Sequence, residues 1–102
     1  MLPAMQPEAV VSHNSTASRF EVVLDGHLAV ADYVLDGERM VFTHTFVPPE
    51  LRGRGVAEKL VRAGLEFARQ HGRKVVPQCS YVAVFLKRNP EFGHSDGILP
   101  VP

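Results

Sequence analysis

The chain has 102 residues, 45% of them hydrophobic, and its 11 basic and 11 acidic side chains give a formal net charge of zero. This length is sufficient for one compact domain with a single core. An overall neutral chain does not fit broad nucleic-acid binding, which depends on many cationic contacts with phosphates. No apolar run approaches the length that spans a bilayer. The charge is uneven, because residues 1–50 carry a net of −5 and residues 51–102 a net of +5.

Cysteine usage and the N-terminal residues indicate an intracellular setting. Cys79 is the only cysteine, so an internal disulfide cannot form. A chain without disulfides is typical of a reducing compartment. The first residues lack a charged stretch followed by an apolar one, the pattern of a secretory signal. We therefore expect a cytoplasmic protein that does not bind membranes.

The first half of the chain predicts a flexible segment followed by a three-stranded antiparallel meander. Residues 1–17 are rich in Pro, Ser and Asn and have no sustained periodicity, which predicts flexibility. Alternating apolar residues then predict strands over 19–24, 27–35 and 39–47. An Asp-Gly pair, the usual hairpin signal, lies in each of the two gaps between them.

The third predicted strand has two distinct faces. Strict alternation puts Met40, Phe42, His44 and Phe46 on one face, and Val41, Thr43, Thr45 and Val47 on the other. Pro48 and Pro49 end the strand, because neither residue can donate a hydrogen bond to a neighbouring strand.

The second half predicts a helix and a strand. An apolar stripe at helical spacing predicts a helix over 56–71, and Gly72 is a natural residue to end it. A short buried strand is predicted over 74–79, although Pro77 implies an edge position or an irregularity. After a strand–helix–strand crossover, this strand should run parallel to the third.

A short helix and a tail complete the chain. Ser80 can cap a helix over 81–88, which Asn89-Pro90 would end. The remaining residues, 94–102, predict an irregular tail, which leaves 18–93 as the folded domain.

The turn between the third strand and the first helix is the clearest functional signal. Arg52-Gly53-Arg54-Gly55 stands directly before the helix. Glycines leave backbone N–H groups uncovered, and a helix N-terminus favours negative charge, so the turn favours a phosphorylated ligand. A dinucleotide fingerprint would need Gly or Ala in place of Glu58, and the chain has no Gly-Lys-Ser/Thr of a P-loop. The plain alternative is an ordinary strand-to-helix connection.

Four segments, in this order, carry a resemblance to a known family. They are His44-Thr45-Phe46-Val47-Pro48, Leu51-Arg52-Gly53-Arg54-Gly55, Val76-Pro77-Gln78-Cys79-Ser80-Tyr81-Val82 and Asn89-Pro90-Glu91-Phe92. They resemble the very small, single-domain branch of the GNAT superfamily of acyl-coenzyme A N-acyltransferases. That family's phosphate-binding signature is Gln/Arg-x-x-Gly-x-Gly/Ala, and residues 52–57 match every specified position. The resemblance extends from Arg19 to Phe92.

The resemblance implies a fold and a cosubstrate. The fold is α/β (α+β) and GNAT-like: an antiparallel meander, a helix, a parallel strand and a short C-terminal helix. The cosubstrate is acetyl-coenzyme A, with no metal, and its pantetheine arm would lie between two parallel strands that splay apart. The implied cosubstrate-binding residues are Phe46, Val47, Arg52, Gly53, Arg54, Gly55, Val56 and Ala57.

The resemblance leaves the catalytic groups open. Many members use a Tyr on the last helix as general acid, and Lys87 stands at that position here. Cys79 is the first replacement candidate, because a thiol near a helix N-terminus favours its thiolate form; it could take the acyl group or act as acid or base. His44 is the second candidate, as a base or to orient a substrate, and Tyr81 is the third. The plain alternatives are a buried structural cysteine, a core or cleft-wall histidine and a packed tyrosine.

These observations together predict an enzyme. We expect an N-acetyltransferase that moves the acetyl group of acetyl-coenzyme A to a primary amine, either a small molecule or a peptide amine. The alternative is a coenzyme A-binding module with little or no transferase activity. The other histidines show no metal-ligand spacing.

Overall fold

The computed structural model describes residues 9–92 and Ile98, and it is a mixed five-stranded sheet with two helices. Short 3-10 turns at Pro49–Leu51 and Pro90–Phe92 follow the fourth strand and the second helix. The elements in chain order are β1 (Ser12–Asn14), β2 (Arg19–Leu24), β3 (His27–Asp36), β4 (Arg39–Phe46), α1 (Val56–Gln70), β5 (Lys74–Pro77) and α2 (Ser80–Arg88).

The sheet has the order β1-β2-β3-β4-β5. Strands β2, β3 and β4 form the predicted antiparallel meander, and β5 pairs parallel to β4 after the α1 crossover. Strand β1 is an addition that the sequence did not predict: it pairs antiparallel with β2, with Ser12 opposite Glu21 and Asn14 opposite Arg19. Its residues are polar and mostly exposed, so no apolar alternation announces it.

Helix α1 covers one face of the sheet. Its apolar stripe is buried against β2, β3, β4 and β5, and each fully buried Leu or Val side chain contributes about 1.5–3 kcal/mol. The helix lies so close to the sheet that a Cβ added at Gly64 would be 2.6 Å from the ring of Phe42. The face that packs against α1 is called the inner face, and the opposite one the outer face.

A bulge in β4 changes which residues share a face. The register shifts where Asp32 pairs with His44 and Tyr33 with Phe42, so Thr43 is an extra residue in β4. An inserted residue reverses the alternation beyond it. The predicted common face of Met40, Phe42, His44 and Phe46 is therefore wrong: the first two are buried on the inner face, whereas His44 and Phe46 are exposed.

The second helix begins one residue earlier than predicted. Cys79, with extended backbone, is the N-cap of α2, and Ser80 is its first helical residue. Strand β5 also ends earlier, at Pro77. Helix α1 ends at Gln70, one residue before the predicted end, and Gly72 follows the C-cap His71 with φ 64°. In the predicted tail, Ile98 forms a parallel bridge with Val75 of β5; the rest of 94–102 and the first eight residues lie outside the described residues.

An aromatic cluster attaches β1 to the rest of the domain. The His13 ring stacks on Phe20 with centroids 4.2 Å apart and meets Phe67 of α1 edge-on at 4.5 Å. Its Nε2 atom is 2.5 Å from the Tyr33 hydroxyl. Burial, and then the nearby His71, lower the pKa of His13 below 6.5.

The domain is expected to lose stability in mild acid through this cluster. A histidine whose pKa is lowered by folding binds fewer protons folded than unfolded, so its contribution is complete above the unfolded pKa of about 6.5 and is lost as the pH falls toward the folded pKa. Thermal melts from pH 7.5 to 5 should show this loss, and His13→Phe should reduce it because phenylalanine stacks but does not titrate. An equal loss in the variant would assign the acid sensitivity to other groups.

Candidate functional site

The pairing of β4 and β5 stops where the two strands diverge. Parallel pairing runs from Arg39 with Lys74 to Phe42 with Pro77. The last contact is a hydrogen bond from the Cys79 N–H to the Phe42 carbonyl, 2.7 Å long. Strand β4 continues to Phe46 with β3 on one side, while the chain after Pro77 turns away into α2. Among the described residues, nothing pairs with this last part of β4 on its β5 side, so the strands open as a wedge.

The glycine turn lies beside the open end of this wedge. Gly53 and Gly55 both have left-handed backbones, with φ 78° and 74°, and Gly55 is the N-cap of α1 without a side-chain cap. A Cβ built on either glycine would meet no atom within 4 Å, so the space over both is open. The first N–H groups of a helix have no partner within the helix. Together these features leave uncovered backbone N–H groups of the kind that suits an anion.

Three adjoining cavities of about 240, 260 and 290 Å³ connect the glycine turn to the wedge and to α2. They form one groove because they share lining residues, and Tyr81 lines all three. The groove runs from Thr45 and Phe46 at the wedge, past the glycine turn, to Arg88 and Asn89 at the end of α2. Of the residues predicted to bind the cosubstrate, only Arg54 does not line it.

The two arginines of the turn have internal partners. Arg52 Nε donates to the Val47 carbonyl at 3.1 Å, which ties the turn to the end of β4. Arg54 Nη1 donates to the Asp25 carboxylate at 2.9 Å, which ties it to the β2–β3 hairpin. These bonds hold the glycine turn from both sides, so its backbone is preorganised in the absence of a ligand.

Tyr81 is more central than its rank as third candidate implied. Burial is the main cause that raises the pKa of its hydroxyl. The negative charge of Glu58 raises this pKa further, and the positive charge of Arg88 partly offsets the rise. The hydroxyl therefore stays protonated at neutral pH and can donate a hydrogen bond into the groove. Arg88 was not singled out from the sequence. The signal was available, because Tyr81, Val84 and Arg88 follow the i, i+3, i+7 spacing of one helix face.

The two candidate catalytic residues flank the wedge from opposite faces of the sheet. Cys79 is buried, and its Sγ atom is 3.5 Å from the Thr45 hydroxyl, which the bulge turns to the inner face. His44 is exposed on the outer face, opposite Asp32. The structure thus brings both residues to the end of the β4–β5 pairing and separates them by the thickness of the sheet.

A membrane-spanning helix and a metal-binding group are not found in the described part of the chain. Neither helix combines the length and hydropathy of a membrane span. No three His, Cys, Asp or Glu side chains in this part form a group that could hold a metal ion.

Comparison with known proteins gives consistent matches. A sequence model of the GCN5-related N-acetyltransferases matches residues 19–95. The mouse protein NATD1 is 37% identical over 83 residues, which cover 78% of this chain and 76% of the relative. The Xenopus tropicalis NATD1 is 34% identical over 88% of this chain and 87% of the relative. The NMR structure of a GCN5-like protein from Staphylococcus aureus superposes with a TM-score of 0.71 at 26% identity, over 95% of this chain and 94% of that one.

Proposed function

The chain belongs to the GCN5-related N-acetyltransferase family, and from this premise we propose that it transfers the acetyl group of acetyl-coenzyme A to a primary amine. The observation that carries the proposal is the continuity of the groove. The groove passes an uncovered helix N-terminus suited to phosphates, and it ends at a gap between two strands where, among the described residues, no strand pairs with the end of β4 on its β5 side. A long ligand with a phosphate group at one end and amides along its arm suits both places at once.

We propose a role for each part of the groove. The pyrophosphate binds the N–H groups of residues 53–57, and the guanidinium of Arg52 adds positive charge beside them. The pantetheine amides bind backbone groups of Phe46 and Val47, which supply hydrogen bonds where β5 no longer pairs. The open space over Gly55 supports this assignment, because a side chain at that position would occupy it. Tyr81 donates its hydroxyl hydrogen to the same ligand.

The proposed chemistry uses the two residues that flank the wedge. The amine nitrogen attacks the thioester carbon, a C–N bond forms, and the C–S bond breaks to release the coenzyme A thiolate. His44 accepts the proton that the amine loses, on the outer face. Cys79 either gives its proton to the departing thiolate or carries the acetyl group as a thioester before the amine attacks.

A coenzyme A-binding module with little transferase activity is the second candidate function. One observation favours it: the position of the usual tyrosine acid is held by Lys87, which is exposed on α2. The module would share the groove and differ only in lacking turnover.

A thermal-melt titration with acetyl-coenzyme A tests the proposal. A ligand at about 100 times its Kd that binds only the folded state adds about 2.7 kcal/mol, and each kcal/mol raises the melting temperature of a domain this size by about 4–8 °C. Coenzyme A and 3′-dephospho-coenzyme A should also raise it, because both retain the pyrophosphate. Binding without transfer to any tested amine would select the binding module, and no shift at saturation would overturn both functions.

A further inference from the structure

The outer face of the sheet carries a carboxylate and an imidazole directly opposite each other. Asp32 of β3 pairs with His44 of β4 immediately before the bulge. Directly opposed residues in an antiparallel pair have Cβ atoms about 4.5–5.5 Å apart and point to the same face. The Thr43 hydroxyl also donates to the Asp32 carbonyl at 3.4 Å, so the bulge itself is attached to this position.

The Asp32 carboxylate has no bonded partner in the described part of the chain. It is half-buried, and within the described residues its side chain makes no hydrogen bond or ion pair. The nearest cation by register is Arg19, opposite Asp32 on β2, but its Nε is bound to Glu21 at 2.5 Å. A half-buried carboxylate without a partner can form a charge-assisted hydrogen bond with a cationic ligand.

An apolar strip extends from this pair along the outer face. On the outer face, the next two opposed residues are Val30 of β3 and Phe46 of β4. Leu28 then follows Val30 on the same face of β3. Phe46 is 44% exposed and Leu28 40% exposed, whereas Val30 between them is 9% exposed, so the strip is open to solvent at Phe46 and Leu28. Phe46 also lines the cavity at the wedge, which connects the strip to the groove on the inner face.

We propose that this outer-face site binds the acceptor as an alkylammonium, that is, a primary amine carried on an aliphatic chain. The inference rests on the proposed acetyl transfer and adds the substrate class. Asp32 pairs with the ammonium group, and the exposed side chains of Phe46 and Leu28 contact the methylene chain.

The Asp32–His44 pair also explains how an acceptor that binds as an ammonium can be deprotonated before it reacts. An ammonium has no lone pair, and a carboxylate beside it favours the charged form, so a proton acceptor is needed at the same place. The His44 imidazole is in that position. When it takes one proton from the ammonium, the freed lone pair attacks the thioester carbon, a C–N bond forms and the C–S bond breaks. The second proton that the nitrogen then loses goes to the departing sulfur, directly or through Cys79, so coenzyme A leaves as the thiol.

An NMR titration tests the site without relying on turnover. In ¹⁵N-labelled protein saturated with coenzyme A, n-butylammonium should shift the amide signals around Asp32, His44 and Phe46, and n-butanol should not. Asp32→Asn should weaken butylammonium binding by about tenfold or more, the loss of one charge-assisted contact. Asp36→Asn is the matched control, because Asp36 is exposed on the same face of β3 about 13 Å along the strand. Equal affinity of the Asp32 variant and the native chain, or shifts confined elsewhere, would overturn the inference.

A second experiment distinguishes a failure of the amine site from a failure of the proposed acetyl transfer, and it identifies the source of the amine. Acetyl transfer is measured to Nα-acetyl-lysine methylamide, which represents a peptide lysine, and to 1,5-diaminopentane, which represents a free diamine. If either amine is acetylated and its acetylation is weaker in the Asp32 variant, the result supports the site. The amine with the higher kcat/KM then identifies the source. If neither is acetylated while butylammonium still binds at Asp32, the amine site stands and the transferase proposal fails.

Discussion

Gly55→Val is expected to weaken acetyl-coenzyme A binding by about 100-fold, equivalent to about two charge-assisted hydrogen bonds of roughly 1.5 kcal/mol each. The reason is steric and local. Nothing of the protein lies within 4 Å of the position of a Cβ at Gly55, so the valine side chain would enter the space assigned to the phosphates. Its left-handed φ of 74° would also be strained, and the first N–H groups of α1 would shift.

The Gly55 prediction needs a control for backbone strain. A left-handed β-branched residue costs about 1–2 kcal/mol of folding stability wherever it stands. Gly37 has φ 60° and equally open space, but it lies in the β3–β4 hairpin, far along the sheet from the groove. Gly37→Val should therefore lower the melting temperature by a similar amount and leave acetyl-coenzyme A affinity unchanged. Similar affinities for the two variants in isothermal titration would refute the assignment of the phosphate site.

The parts of the fold that could be predicted from the sequence are those with local causes. Helix α1 has a continuous apolar stripe and a terminal Gly72, and the hairpins have Asp-Gly turns. Strand β1 has no such signal, because His13 is attached by aromatic contacts with residues that are distant in the chain. The Thr43 bulge is not predicted either, since the three consecutive polar residues Thr43-His44-Thr45 do not show which of them faces the core.

The same distinction applies to the candidate site. The glycine turn is a contiguous stretch, so its position before α1 could be predicted from the sequence, and its role as an anion site stays a prediction. The positions of Tyr81 and Asp32 depend on how α2 and β3 pack beside other elements, which one-dimensional spacing does not encode. The reversed side of His44 has the largest consequence: it moves a predicted core or cleft-wall histidine to an exposed position beside Asp32.

Cys79→Ser is expected to reduce kcat for acetyl transfer by about 100-fold or more, the usual contribution of a positioned proton-transfer group. Serine at this position removes the acidic thiol but keeps the structural role of the side chain. Cys79 is the N-cap of α2 with no side-chain cap bond, and its Sγ is 3.5 Å from the Thr45 hydroxyl. Serine is among the best N-cap residues and can keep that contact, so the variant should fold at least as well. Its hydroxyl is a far weaker acid than a thiol.

Two further measurements complete the Cys79 test. Acetyl-coenzyme A affinity should stay within a few-fold in Cys79→Ser, because the residue lies at the foot of the wedge and not at the glycine turn. Mass spectrometry of the native chain, mixed with acetyl-coenzyme A before any amine is added, then distinguishes the two roles. An acetyl group on the peptide that contains Cys79 indicates the covalent route, and its absence together with a lower kcat indicates proton donation. A kcat close to the native value would make Cys79 a packing residue, and His44 would remain the proposed catalytic group.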